Sequence, residues 1–119
     1  MRLNKCPKVE NYLINNSFVD ERHIWCYAQM KANLVTQEDT KPLYGLVLVC
    51  IKNDVLYMYV TKFNSTMLDL FYVCHITKMQ SISLDKKLLS TKLSFTYDLD
   101  RFHLEMDDWK RFSCVFDHL

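Results

Sequence analysis

The stretch LYGLVLVCIKNDVLYMYVTK, residues 43–62, is the most apolar part of this chain and largely decides its fold. Its uninterrupted apolar run, residues 43–51, is well short of the roughly 20 residues that a membrane-spanning helix needs. Val47, Val49 and Tyr57 represent the β-branched and aromatic residues that favour a strand over a helix. The polar residues 52–54 between the two apolar runs are typical of a tight turn. We therefore predict a β-hairpin.

The segment HIWCYAQMKANL, residues 23–34, shows a second strand signal, an alternation with period 2. One face of the predicted strand is apolar throughout: Ile24, Cys26, Ala28, Met30, Ala32 and Leu34. The opposite face carries Trp25 and Tyr27, followed by Gln29, Lys31 and Asn33. If the apolar face is the core, Trp25 and Tyr27 point outward.

Helical periodicity marks the two ends of the chain. Val9, Tyr12 and Leu13 form an apolar stripe within an N-terminal helical segment, residues 1–19. Trp109, Phe112 and Phe116 form another within residues 107–119, where Asp107 or Asp108 suits the N-cap. Between them, several alternating segments are separated by turn residues such as Asp98 and Asp100. We predict a single mainly β domain, residues 1–119, in which about seven antiparallel strands form a small barrel over residues 20–106 and residues 107–119 form a capping helix.

Composition excludes several classes of protein. The 119 residues carry 15 Lys and Arg against 14 Asp and Glu, a formal charge of +1, whereas a generic nucleic-acid binder shows a basic excess. We expect no signal peptide and no transmembrane segment, which predicts a cytoplasmic location. The five cysteines are scattered without a C-x-x-C pair, and this spacing favours reduced, buried thiols over disulfides or zinc ligands.

The order of these elements resembles a known family. The run YGLVLVCIKNDVLYMYV, then HITKMQSISL, then a strand pair and DWKRFSCVF, is similar to bacterial pleckstrin-homology-like and GRAM-like domains over roughly residues 20–119. The resemblance implies a pleckstrin-homology-like barrel with a C-terminal helix, acting as a binding module. One departure is Cys50-Ile51-Lys52, where the family commonly has Thr and a basic residue.

No catalytic, metal or cofactor site is predicted. The four histidines are spread one per element without metal-ligand spacing, and the single glycine excludes a glycine-rich phosphate loop. Relatives of this fold that bind phosphoinositides use basic residues on the first two strands and their loop. Here Lys31 and Lys41 are offset by Glu38 and Asp39, so we expect no appreciable binding to anionic liposomes at physiological salt.

The outward aromatic residues have two interpretations. The N-terminal helix covers them, or they contact a partner, since Tyr and Trp are enriched at protein interfaces. The candidate binding residues are Trp25, Tyr27, Tyr57, Tyr59, Lys31, Lys41 and Lys62. We expect a non-enzymatic interaction module without a cofactor, whose partner is another protein or a second copy of this chain. A peripheral phospholipid-binding domain, favoured by a basic cup around Lys31, Lys41 and Lys62, is the alternative, and a carrier of small hydrophobic ligands ranks third.

Overall fold

The computed structural model describes residues 7–35, 42–62, 67–106 and 110–116. Their elements, in chain order, are α1 (Pro7–Asn15), β1 (Trp25–Asn33), β2 (Pro42–Lys52), β3 (Val55–Lys62), β4 (Met67–His75), a 3₁₀ turn (Ile76–Lys78), β5 (Gln80–Lys86), β6 (Thr91–Tyr97), β7 (Asp100–Met106) and α2 (Lys110–Phe116). The described strands form one antiparallel sheet in the order β4-β3-β2-β1-β7-β6-β5. None of the described helices has the length and apolar character needed to cross a bilayer.

The hairpin predicted for residues 43–62 is confirmed. Strands β2 and β3 pair antiparallel from Lys52 opposite Val55 to Val47 opposite Val60. Asn53 and Asp54 form the turn, both with positive φ. Two successive positive φ angles give a turn whose twist matches that of the flanking strands. Asn and Asp tolerate this conformation better than most residues, so the turn forms without glycine.

The inner face of the sheet holds the main core, as the alternation in β1 predicts. The whole apolar face of residues 24–34 is buried there. It packs with inward side chains from the neighbouring strands, among them Val49, Met58 and Leu104, each fully buried. Leu, Ile, Val and Phe side chains buried in this way contribute about 1.5–3 kcal/mol each.

The outer face of the sheet carries a second, smaller core. Buried residues of α1, the following turn and strands β1 to β3 form it: Leu13, Val19, Trp25, Tyr27, Leu48, Cys50 and Tyr59. Helix α1 therefore lies over one half of the outer face, and the half formed by β6, β7 and the end of β1 lies outside this cluster.

The prediction of a closed barrel is wrong. The described strands form an open sheet with β4 and β5 at its edges, and no ladder joins β4 to β5 within these residues. A barrel closes only if every strand pairs on both sides with a consistent stagger. Strands β4 and β7 are nonetheless in contact through their side chains. The centroid of the Tyr72 ring on β4 lies 4.6 Å from that of the Phe102 ring on β7. The sheet curves enough for its two halves to share an aromatic core, but their backbones do not pair.

The predicted role of residues 107–119 as a capping helix is wrong for the same reason. Helix α2 covers only Lys110–Phe116, and an open sheet has no barrel end for it to cap. Phe112 and Phe116 are nonetheless buried in the main core. Residues 107–109, with the predicted N-cap and Trp109, and residues 117–119 lie outside the described part of the chain.

Asp98 and Asp100, both predicted as turn residues, have different roles. Asp98 lies in the β6–β7 turn with a φ of 54°. Asp100 is buried, and its carboxyl group accepts hydrogen bonds from the Val35 N–H at 2.8 Å and the Tyr72 hydroxyl at 2.5 Å. Burial and the hydrogen bond to Asp100 raise the pKa of Tyr72. Asp100 therefore joins the end of β1 to β4 and β7 across the sheet.

Candidate functional site

The predicted aromatic residues lie in the outer cluster under α1. Trp25, Tyr27 and Tyr59 are buried there, and Tyr57 is half-buried at its edge. The Trp25 indole N–H donates to a Glu10 carboxylate oxygen on α1 at 3.5 Å. Burial raises the pKa of Tyr59 to about 12. Of the two interpretations that the sequence allows, these contacts agree with cover by the N-terminal helix, and a role for these residues in binding a partner stays a prediction.

The three predicted lysines do not form a site that the structure describes. Lys31 lies on the outer face of β1, with its Nζ atom 5.6 Å from the centroid of the Tyr44 ring. Lys62 is the last residue of β3, and its side chain lies outside the described part of the chain. Lys41 lies outside it entirely. Lys31 instead shares its face of the sheet with Arg101 on β7 and Lys92 on β6.

The register of the strands places these cations together on the half of the outer face formed by β6, β7 and the end of β1. On β1 and β7, Lys31 lies opposite His103, and on β7 and β6, His103 lies opposite Ser94. Arg101 lies two residues before His103 on the same face, and Lys92 lies diagonally from it on β6. Side chains directly opposite have Cβ atoms about 5 Å apart, and diagonal ones about 7–8 Å apart. We call the surface formed by Lys31, Lys92, Ser94, Arg101 and His103 the cationic trough.

Two depressions make up the cationic trough, and His103 lines both. The first has a volume of about 360 Å³, and its lining is formed by Gln29, Met30, Lys31, Tyr44, Gly45, Lys92, His103 and Glu105. The second has a volume of about 300 Å³, and its lining is formed by Ser81, Ser94, Phe95, Thr96, Arg101 and His103. Glu105 lines only the first depression, so none of the described carboxylates lines the second.

His103 is held at the centre of the trough by the hydroxyl of Ser94. Its Nδ1 lies 2.8 Å from the Ser94 Oγ atom. Burial lowers the pKa of His103, and the positive charges of Lys92, Lys31 and Arg101 lower it further. The imidazole is therefore neutral at pH 7, where it hydrogen-bonds without adding charge.

The cations of the trough lack partners among the described carboxylates. None of Lys31, Lys92 and Arg101 forms an ion pair with one. Arg22 shows the contrast, because its guanidinium donates to Asp20 at 2.8 Å and holds the pKa of that carboxyl at about 2. Arg22 thus has an ion-pair partner within the chain. Lys31, Lys92 and Arg101 form no ion pair with the described carboxylates, although Asp85 and Glu105 lie opposite Lys92 on β5 and β7.

A second exposed feature is the hairpin between β5 and β6. Leu88 and Leu89 at its tip are 97% and 81% exposed, and Lys86 and Lys87 precede them. The turn is closed by a hydrogen bond from the Lys87 N–H to the Ser90 carbonyl oxygen at 2.8 Å. Two adjacent leucines with this exposure are unusual on a protein surface and suit a contact with an apolar partner.

The cysteines and acidic residues show no reactive or metal-binding arrangement in the described ranges. Cys26, Cys50 and Cys74 are free and fully buried, and burial raises the pKa of Cys50 and of Cys74 to about 12 each. The thiols of Cys50 and Cys74 therefore stay protonated and inert at neutral pH. Within residues 7–35, 42–62, 67–106 and 110–116, no three His, Cys, Asp or Glu side chains are grouped so as to hold a metal ion.

Sequence reasoning missed Lys92, Arg101 and His103. Alternation along β6 and β7 separates the outward Lys92 and His103 from the inward Leu93 and Leu104, so their face could be predicted. Alternation does not show which strand pairs with β7 on its other side. Only the pairing of β7 with β1 brings Lys31 beside these residues.

Comparison of the chain with protein-family models, with curated proteins and with solved structures gave no match. The resemblance to pleckstrin-homology-like and GRAM-like domains therefore stays a prediction.

Proposed function

We propose that this protein is a non-enzymatic interaction module that binds an acidic segment of a partner protein in the cationic trough. The observation that carries the proposal is the grouping of Lys31, Lys92 and Arg101 on one exposed sheet face without an ion pair to the described carboxylates. An acidic partner would supply the missing charge. Complementary charge gives specificity and fast association at such surfaces.

The surroundings of the trough favour a protein as the anionic partner. Tyr44, beside Lys31, is 67% exposed, and Leu46 on the same face of β2 is also exposed. Exposed Tyr and Leu beside cations suit a segment that combines acidic and apolar side chains. A formal charge of +1 provides too little basic excess for a generic nucleic-acid surface.

The close contact of Ser94 with His103 does not argue for a hydrolase. A nucleophilic serine needs a basic imidazole that a third group orients. The cations around His103 lower its pKa and so reduce its basicity. The carboxylate of Glu105, the next acidic residue on this face, is 3.5 Å from the Ser90 hydroxyl instead. We therefore propose that the Ser94–His103 pair binds rather than catalyses.

The interior of the sheet argues against the carrier of small hydrophobic ligands. Phe102, Phe112 and Phe116 are among the largest fully buried side chains, and all three belong to the main core. The buried thiols of Cys26, Cys50 and Cys74, none of which is in a disulfide, support the proposed cytoplasmic location.

Charge reversal in the trough tests the proposed function. The probe is a fluorescein-labelled extended peptide of about eight residues, roughly 26 Å long, composed of Glu, Asp, Leu and Ser. We expect polarisation to show binding by the wild-type chain, and the variant Lys31→Glu with Lys92→Glu to bind at least about tenfold more weakly. The estimate takes about 0.5–1 kcal/mol for each attraction lost and each repulsion gained.

The matched control carries the same charge change elsewhere. Lys8 on α1 and Lys78 in the 3₁₀ turn are exposed, and neither lines the two depressions of the cationic trough. The variant Lys8→Glu with Lys78→Glu should bind the peptide within about twofold of wild type after screening by salt. Equal weakening by both variants, or no binding by the wild-type chain, would contradict the proposal.

The exposed hairpin supports a second candidate, a peripheral phospholipid-binding domain. Leu88 and Leu89 would contribute about 1.5–3 kcal/mol each if fully buried in the bilayer. Lys86 and Lys87 would add about 1 kcal/mol each at an anionic surface. The sum of about 5–8 kcal/mol reaches the 8 kcal/mol of micromolar binding only at its upper end, so we rank this candidate second.

Co-sedimentation with vesicles of phosphatidylcholine and phosphatidylserine separates the two candidates. If the protein-interaction proposal holds, the chain stays in the supernatant at physiological salt. If the second candidate holds, the chain pellets, and the variant Leu88→Ser with Leu89→Ser does not. A matched variant, Leu99→Ser, changes another exposed leucine at the β6–β7 turn and should leave pelleting unchanged.

A further inference from the structure

We propose that the second depression of the cationic trough binds a phosphoryl group carried by the partner segment, so that the ligand is a phosphorylated protein. The inference rests on the proposed function and adds the chemical class of its ligand. It also assigns a ligand to each depression: the first binds acidic side chains of the partner, and the second binds the phosphoryl group.

The donors that line the second depression suit a phosphoryl group. Arg101 provides a planar guanidinium, which binds phosphate oxygens through two parallel hydrogen bonds. The hydroxyls of Ser81 and Thr96 line the same depression. Ser94 and His103 also line it, and because they hydrogen-bond to each other, this pair supplies one further donor. A phosphate group presents three acceptor oxygens and needs several donors at once, whereas a carboxylate has two.

An irregularity in β5 places one of these hydroxyls. The pairing of β5 with β6 shifts register between Gln80 and Ser83, and Ser81 within the shift has a φ of 54°. A bulge of this kind turns a side chain away from the regular alternation. Ser81 thereby comes to line the second depression together with Ser94 of the neighbouring strand.

The distribution of charge also favours a dianion at this position. Lys31 and Lys92 flank His103 from β1 and β6, and both lie on the face that carries Arg101. Of the carboxylates nearby, Glu105 lines only the first depression, and Asp85, opposite Lys92 on β5, lines neither. Arg101 thus lines a depression to which the described residues contribute no carboxylate, and Lys31 and Lys92 line the other depression, which shares His103 with it. Phosphoserine carries a charge of about −1.5 to −2 at pH 7 and so gains more from these cations than Glu does.

Three labelled peptides test the inference. They share one sequence of Asp, Leu and Gly and differ only at a central position, which is Ser, Glu or phosphoserine. We expect the wild-type chain to bind the phosphoserine peptide at least about tenfold more tightly than the Glu peptide. Arg101→Gln should reduce this preference to about threefold or less, because the second depression loses the guanidinium that binds the phosphoryl oxygens.

A second variant separates charge from geometry. Arg101→Lys keeps the positive charge but loses the planar fork, so it should retain only part of the phosphoserine preference. Circular dichroism of each variant establishes that the sheet is intact. Because Arg101 is exposed on β7, we expect both variants to fold.

Each outcome bears on one proposal. Equal binding of the Glu and phosphoserine peptides would overturn the phosphoryl inference and leave the proposed function in place. Failure of all three peptides to bind would overturn the proposed function as well. Binding to vesicles that contain a phosphoinositide, without binding to the phosphoserine peptide, would overturn the inference in favour of a lipid headgroup as the phosphate source.

Discussion

Replacing Phe112 with alanine is expected to lower the free energy of unfolding by about 3–5 kcal/mol, the range measured for buried Phe in other proteins. Phe112 is fully buried and packs in the main core. Its removal leaves a cavity in that core. Urea unfolding followed by tryptophan fluorescence measures the change, provided that the slope of the transition stays constant.

A half-buried residue on the same helix is the matched control. Val115 packs at the edge of the main core, so Val115→Ala should cost about 1 kcal/mol, because it removes less buried surface. A loss below about 1 kcal/mol for Phe112→Ala would mean that α2 does not contribute to the core, since cavity formation at a fully buried Phe costs more.

Replacing Asp100 with alanine is expected to lower the free energy of unfolding by about 2–6 kcal/mol, because two donors in a partly buried site lose their acceptor. The Val35 N–H and the Tyr72 hydroxyl both donate to the Asp100 carboxyl group. Each donor left unsatisfied in a partly buried site costs about 1–3 kcal/mol. Chemical denaturation again measures the change.

Two variants show whether the cost comes from these hydrogen bonds. Tyr72→Phe removes one donor and keeps the ring against Phe102, so we expect about half the loss seen for Asp100→Ala. Asp85→Ala removes an exposed carboxylate of the same sheet and should change stability by less than about 0.5 kcal/mol. Similar losses for Asp85→Ala and Asp100→Ala would show that the hydrogen bonds of Asp100 are not important for the fold.

Local sequence patterns predict the strands of this protein well. The alternation in residues 24–34 identifies the buried face of β1, and the polar residues 52–54 locate the β2–β3 turn. Both signals act over a few residues, since alternate side chains of a strand point to opposite faces whatever the strand pairs with. The apolar stripe of residues 9–13 likewise identifies α1, whose Leu13 is fully buried.

Contacts between distant segments were not predictable in this way. Whether a curved sheet of seven strands closes depends on the stagger of its strands. Here no ladder joins β4 to β5 within the described residues, although the rings of Tyr72 on β4 and Phe102 on β7 are in contact. Asp100 resembles an ordinary turn residue in the sequence because its partners, Val35 and Tyr72, are 65 and 28 residues away. The sequence also left open whether α1 covers the outward Trp25 and Tyr27.

The sequence by itself therefore determined a mainly β chain, its hairpin and the two faces of its strands, because side-chain alternation is a local property. Only the tertiary structure decided that the sheet stays open, that α1 lies over one half of its outer face and that the other half gathers Lys31, Lys92, Arg101 and His103. The physical reason is strand pairing: the register of β1 with β7 and of β7 with β6 sets which charges become neighbours, and residues about 60 to 70 positions apart in the chain meet only through it.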